Sequence, residues 1–243
     1  MYTKLFYSTG NQVSIPNRKE IPMLNVTFED IRNNEEIKTY ISAADKALSE
    51  LGYTEHSFAH VTRCAEGASS ILRRLGYDQR ECELAQIAGY IHDIGNIINR
   101  VDHAQSGAVM AFRILDKLGM EPSETARIIC AIGNHDESTG VAVSAISAAL
   151  ILADKSDVRR SRVRNSDIAS FDIHDRVNFA VEKSNLELDT QHSVITLFLE
   201  IDTTLSSVMD YFEIFLKRML LCRKAAEYLG LKFRLNINGL SML

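Results

Sequence analysis

The chain has 243 residues, 46% hydrophobic and 24% charged, with a formal net charge of −5 and a pI near 5.8. That composition belongs to an ordinary globular protein with ample core material, and its acidic balance offers no global attraction to nucleic acid or to an anionic membrane. Cys64, Cys82, Cys130 and Cys222 are widely spaced with no CxxC pair, which predicts reduced, mostly buried thiols rather than a disulfide framework.

Residues 1–24 contain Pro16 and Pro22 and read as an irregular N-terminal arm. The opening Met1-Tyr2-Thr3-Lys4-Leu5-Phe6 lacks a long apolar h-region and a small-residue cleavage site, so a cytoplasmic location is expected. From Asn34 to Leu51, apolar residues Ile37, Ile41, Ala44, Leu48 and Leu51 recur at helical spacing and Gly52 closes the run. Similar patterns predict helices over 54–75, 79–94, 103–118, 121–133 and 141–160. The longest apolar stretch, Val141 to Ala153, is interrupted by Ser144 and Ser147 and falls short of the roughly 18 residues of a spanning helix. It reads as a buried core helix, and no membrane partner is expected. Residues 25–165 are therefore expected to form an all-α domain.

After Arg164 the period changes. Val177 to Glu182 and Val194 to Ile201 alternate as strands do, with the polar stretch Asp189 to Ser193 between them as a hairpin loop. Met209 to Leu229 is an amphipathic helix ended by Gly230, and Leu231 to Asn236 reads as a last strand. The fold expected is mainly α, with a small α+β unit of order β-β-α-β over residues 166–243. An exposed strand edge there would suit a homodimer.

The chemistry concentrates where polar side chains interrupt apolar helices. His92-Asp93 ends the run Ile87-Ala88-Gly89-Tyr90-Ile91, where each polar group would cost on the order of 2–7 kcal/mol to bury unpaired. A metal ion removes most of that cost, because neutral imidazole and carboxylate are both good ligands. Two other His-Asp pairs, His135-Asp136 and His174-Asp175, sit in polar surroundings. His60 and Asp154 share the first pair's trait, each being a ligand type set in an apolar helical background. A mixed imidazole and carboxylate set suits Mn, Fe, Co or Zn, with Mg not separable from the sequence.

The order His60, His92-Asp93, Asp154 resembles the HD superfamily of metal-dependent phosphohydrolases, whose signature is H…HD…D on a helical bundle. The contexts His60-Val61-Thr62-Arg63-Cys64-Ala65, Ile91-His92-Asp93-Ile94-Gly95 and Ala153-Asp154-Lys155-Ser156-Asp157 resemble its three motifs over roughly residues 54–160. The resemblance implies two divalent ions, one held by His60, His92, Asp93 and Asp154, the other by Asp93, His103 and His135. Asp93 would bridge them and carry catalysis by orienting a metal-activated water. His56, one turn before His60 and beside Glu55, falls where some such proteins place a third-metal ligand. Arg160, six residues after Asp154, falls where some relatives place a phosphate contact. The chain departs from the family in having Asn96 where many members carry lysine. It also lacks the double His and Gly-Tyr-Pro of the cyclic-dinucleotide branch. His174 and His192 carry no expectation beyond a polar tail.

The function expected is hydrolysis of a phosphoester or phosphoanhydride, with a small phosphorylated molecule, a nucleotide by resemblance, as substrate. Two alternatives remain at this point: a nucleotide-sensing HD module without turnover, and a di-iron oxygenase.

Overall fold

The computed structural model describes residues 25–242, and the expected arm over residues 1–24 lies outside them. Side-chain caps set where most of the helices begin. α1 (Phe28–Asn33) starts at Thr27, α2 (Glu35–Glu50) at Asn34, α3 (Phe58–Arg74) at Ser57 and α4 (Gln79–Ile91) at Asp78, each accepting a hydrogen bond from an early N–H. α5 (His103–Leu118) follows Asp102, whose left-handed backbone (φ 57°) turns the chain into the helix with His103 first. α6 (Pro122–Gly133) has proline in its first turn, and α7 (Ala145–Lys155) is capped by Ser144.

α7 is buried from Ile146 to Lys155 on every side. A helix that is apolar all round belongs at the centre of a bundle, and α3, α4, α6 and the later helix α9 (Val208–Tyr228) pack around it. Gly89 explains how closely α4 approaches α3. A Cβ there would lie 2.7 Å from the Ala65 nitrogen and 2.8 Å from the Cys64 carbonyl carbon, so only glycine lets the two backbones touch. Gly95 does the same for the start of α5, since a Cβ would overlap the His103 carbonyl oxygen.

Several expected boundaries move. The helix over 79–94 stops at Ile91, because the His92 ring takes up the carbonyl of Gly89 and the chain tightens into a 3-10 turn over Ile94–Ile97. The helix over 141–160 is shortened at both ends. Extended Ser144 caps it at the start, and Ser156 ends it before a 3-10 turn at Arg160–Arg162. The strand expected from Val177 is corrected: Ile173–Ala180 is helix α8, begun by the Asp172 cap, and the strand starts at Val181. Val177 and Ala180 are buried on α8, so the apolar positions that alternate over six residues also fit a helical face.

The sheet contains β1 (Val181–Asp189), β2 (Val194–Ile201), β3 (Lys232–Ile237) and β4 (Leu240–Ser241), in that spatial order. β1 and β2 form the expected antiparallel hairpin, β2 pairs in parallel with β3 across the α9 crossover, and β3 turns back onto β4. The unit is thus β-β-α-β-β, one short strand longer than expected. α9 buries Tyr211, Phe215, Met219 and Cys222, and packs on both α7 and β3. The buried hydrophobic residues of the helical bundle and of the sheet unit form one continuous cluster. Among the described residues, no helix is long and apolar enough to cross a membrane. Cys64, Cys82 and Cys222 are buried and Cys130 is exposed, all as free thiols.

Candidate metal centre and its cavity

Five segments bring the candidate ligands together. His60 projects from the first turn of α3, His92 and Asp93 from the end of α4, His103 from the first residue of α5, His135 from just beyond α6 and Asp154 from the last turn of α7. All six are buried.

Each imidazole has its Nδ1 engaged away from the centre. The Nδ1 atoms of His92, His103 and His135 contact the carbonyl three residues earlier, at Gly89 (2.9 Å), Arg100 (3.0 Å) and Ile132 (2.6 Å). His60 Nδ1 contacts Asp157 Oδ2 at 2.8 Å. Those oxygens can only accept, so Nδ1 carries a hydrogen, and each ring when neutral presents a lone pair at Nε2. The Nε2 atoms then meet carboxylates. His60 Nε2 lies 3.6 Å from Asp93 Oδ2 and 3.4 Å from Asp154 Oδ1, and His92 Nε2 lies 3.2 and 3.8 Å from the same two oxygens. The other Asp93 oxygen, Oδ1, faces His103 Nε2 at 3.5 Å and His135 Nε2 at 3.7 Å. Those two nitrogens are 3.2 Å apart.

Lone pairs facing carboxylates in a buried site repel unless a cation lies between them, and His92 Nε2 has no hydrogen-bond partner at all. The donor set therefore fits divalent metal, and two candidate metal-binding clusters result, His60 with Cys64, His92 and Asp154, and His92 with Asp93 and His135. Oδ2 of Asp93 thus faces one pair of imidazoles and Oδ1 the other. Asn96, where a lysine was expected by resemblance, donates to Asp93 Oδ1 (2.9 Å) and to its backbone oxygen (3.0 Å), orienting the carboxylate.

The electrostatics point the same way. Burial works against ionisation of Asp93, yet His92, His135 and His60 hold its carboxyl well below the usual range. Asp154 is likewise held low against burial, by Lys155 and His60. Burial and Arg162 oppose a proton on His60, but Cys64, Asp154 and Asp157 prevail and raise it well above the ordinary imidazole value. Burial lowers His103 to about 4, partly opposed by Asp93. Without a metal, the first set holds a positive charge as a proton on His60.

The centre lies on a cavity of about 420 Å³ whose lining includes Asp93, His103 and Asp154. His56 also lines it, with Nδ1 on the Thr54 carbonyl (2.7 Å) and its ring edge-on to His60. Glu55 faces elsewhere, accepting from Ser57 and pairing with Arg159. Arg160 lies apart from this group. It is held outside the cavity lining, donating to the Phe179 carbonyl (2.5 Å) and stacking on the Phe179 ring at 4.6 Å. The cations that do line the cavity are Arg100, Lys155, Arg162 and Arg218. His174, thought to be a bland tail residue, also lines it, whereas His192 pairs with Asp189 at the exposed hairpin turn.

Four contributors escaped the sequence. Asp157 orients His60 and is itself held by Arg159 (2.6 Å). Cys64 places its sulfur 3.6 Å from His60 Nε2 and belongs to the first cluster. Glu137 bridges Lys155 and Arg218. Arg218 has the clearest sequence signal: a charged residue within the apolar stripe Tyr211, Phe215, Cys222 and Ala225 of α9, the same anomaly that marks His92-Asp93.

Comparison with known proteins gives a family match over the segment that carries these six residues. A family model described as HD domain matches residues 57–166. An uncharacterized protein of Methanocaldococcus jannaschii is 24% identical over 211 residues, covering 77% of this chain and 79% of its own. A crystal structure of a predicted HD superfamily hydrolase from an uncultured Thermotogales bacterium is 30% identical, covering 51% of this chain and 67% of its own, with a TM-score of 0.41.

Proposed function

The chain belongs to the HD-domain superfamily, and from that premise we propose that it is a metal-dependent hydrolase of phosphoester or phosphoanhydride bonds in a small molecule such as a nucleotide. The observation that carries this reading is the split Asp93 carboxylate: Oδ2 faces His60 and His92, and Oδ1 faces His103 and His135, beside a cavity with four cationic side chains. His60, His92, Asp93 and Asp154 would hold one divalent ion, and Asp93, His103 and His135 a second. Such ions supply Lewis acidity and a nucleophilic water near neutral pH.

The chain's own residues supply the rest. Asn96 orients Asp93 through its hydrogen bond to Oδ1, and the imidazoles of His92, His135 and His60 hold its carboxyl ionised against burial. Asp157 locks the His60 ring, and the three backbone carbonyls lock the other rings, so the donor atoms need no reorganisation. Lys155, Arg218, Arg100 and Arg162 place positive charge where phosphate oxygens would lie, and guanidinium forks suit those oxygens. No covalent nucleophile is required.

The test is a panel of nucleotides and simple phosphomonoesters with the purified chain loaded in turn with Mn, Fe, Co, Zn and Mg. The expected result is metal-dependent phosphate release that Asp93→Ala abolishes. Release that persists undiminished in Asp93→Ala would refute the proposal. Tight nucleotide binding with no turnover under any metal would favour a sensing module, and oxygen consumption by anaerobically iron-loaded protein would favour an oxygenase.

A further inference from the structure

The C-terminal unit closes the cavity with a charged residue of its own. Arg218 on α9 lines the cavity together with Lys155 at the end of α7. The two cations are joined by one carboxylate: Glu137 Oε1 accepts from Arg218 Nε at 2.8 Å, and Glu137 Oε2 lies 2.7 Å from Lys155 Nζ. The second contact is an ion pair that leaves Oε2 without an aligned hydrogen bond. Lys155 Nζ also lies 2.7 Å from Asp154 Oδ2, while Asp154 Oδ1 faces His60 and His92. A continuous line of charge therefore runs from the metal set through Asp154, Lys155 and Glu137 to Arg218. Phe215, one turn earlier on α9, lies beneath the Arg218 guanidinium at 4.6 Å and restricts its swing.

We propose that Lys155 and Arg218 form the anion-binding wall of the cavity, with Glu137 as an internal stand-in that a phosphate group of the substrate displaces. The C-terminal unit is then an obligatory part of the substrate site. The proposal rests on the phosphate-substrate reading for the nature of its ligand. Two cations partly removed from water need a counter-charge at all times. A single carboxylate bridging an ammonium and a guanidinium occupies the geometry that phosphate oxygens prefer. Phosphate carries more negative charge and more acceptor oxygens than a carboxylate, so it can replace Glu137 on both cations at once. The bundle alone supplies only one half of the pair, which gives the crossover helix α9 a functional reason to lie against α7.

The wall predicts effects of opposite sign at two residues in contact. The probe is inorganic phosphate, titrated calorimetrically into the metal-loaded full chain, with metal content measured for every variant. Arg218→Gln should weaken phosphate binding by about tenfold or more, the value of one hydrogen bond to a charged group. Glu137→Gln should tighten it several-fold, because the competing carboxylate is gone. Arg218→Lys, which keeps the charge, should recover part of the loss and keeps the test open if Arg218→Gln does not fold. A merely structural ion pair would make Arg218→Gln and Glu137→Gln fall together, and that result overturns the proposal. So does failure of the metal-loaded wild type to bind phosphate, or binding indifferent to both substitutions. Opposite shifts without turnover of any phosphoester would uphold the wall while sinking the hydrolase reading. Turnover whose KM ignores Arg218 would sink the wall alone.

Discussion

Asp93 and Asp157 act on the same imidazole from opposite sides, and their substitutions should be separable. Asp93 reaches both donor sets, so Asp93→Ala should lower bound metal at both and remove activity, as read by elemental analysis of the dialysed protein. Asp157 touches only His60 Nδ1 among the imidazoles. Asp157→Ala should weaken metal binding by about 10–100-fold, the usual effect of losing a ligand-orienting partner, while leaving the stoichiometry reachable at high metal. The pH dependence has a definite sign. His60 is raised above its ordinary value of 6.5, so in the metal-free protein it is protonated at and below neutrality. Binding through Nε2 must release that proton. Affinity should therefore increase with pH, by up to about tenfold per unit, and level off once pH exceeds the raised value. Calorimetry in buffers of differing ionisation enthalpy would count the proton.

Between elements, the decisive contact is the one without a side chain. α3 carries His60 and α4 leads into His92-Asp93, and their separation is set where Gly89 meets the backbone at Cys64 and Ala65. Gly89→Ala should force the helices apart, destabilising the protein by about 1–3 kcal/mol as measured by the urea midpoint. It should also lower metal affinity, since Nε2 atoms and carboxylates that now lie 3.2–3.8 Å apart would be spread. A midpoint shift with unchanged metal affinity would show that the ligand geometry does not depend on this contact. Helix existence was legible from apolar spacing, as were the ends of α5 and α6, but other ends were not. The apolar pattern of 79–94 runs past Ile91, and only the capture of the Gly89 carbonyl by His92 ends the helix there. Val177 to Glu182 satisfies both periods within its six residues, and the Asp172 cap decides for helix up to Ala180.

Over the whole molecule, the helical bundle and the sheet unit share one core. α9 buries Tyr211, Phe215 and Met219 and packs on α7, whose other neighbours α3, α4 and α6 carry or lead into His60, His92-Asp93 and His135. The full chain should unfold in one cooperative transition by calorimetry, and a chain cut after residue 165 should lose cooperative unfolding, because it strips cover from the central helix. Two resolved transitions, or a stable truncated bundle, would show independent units.

His60, His92, Asp93 and Asp154 were readable because each is a polar residue in an apolar helical background, where unpaired burial is costly and that cost is local to the sequence, whereas His103 and His135 came only from the resemblance. His60, His92, Asp93 and Asp154 also stand in an order that resembles a known signature. The residues around them were not readable in that way. Asp157, Glu137 and Arg218 act through contacts whose partners lie far away in sequence, such as Arg218 on Glu137. Arg160 shows the converse: spacing from Asp154 suggested a phosphate contact, yet the tertiary fold gives its guanidinium to Phe179. Periodicity determined the helical class, and burial cost singled out His60, His92, Asp93 and Asp154 as candidate ligands. Only the tertiary packing decided which cations face the cavity, Arg218 among them through the packing of α9 on α7, because side-chain direction depends on how elements meet.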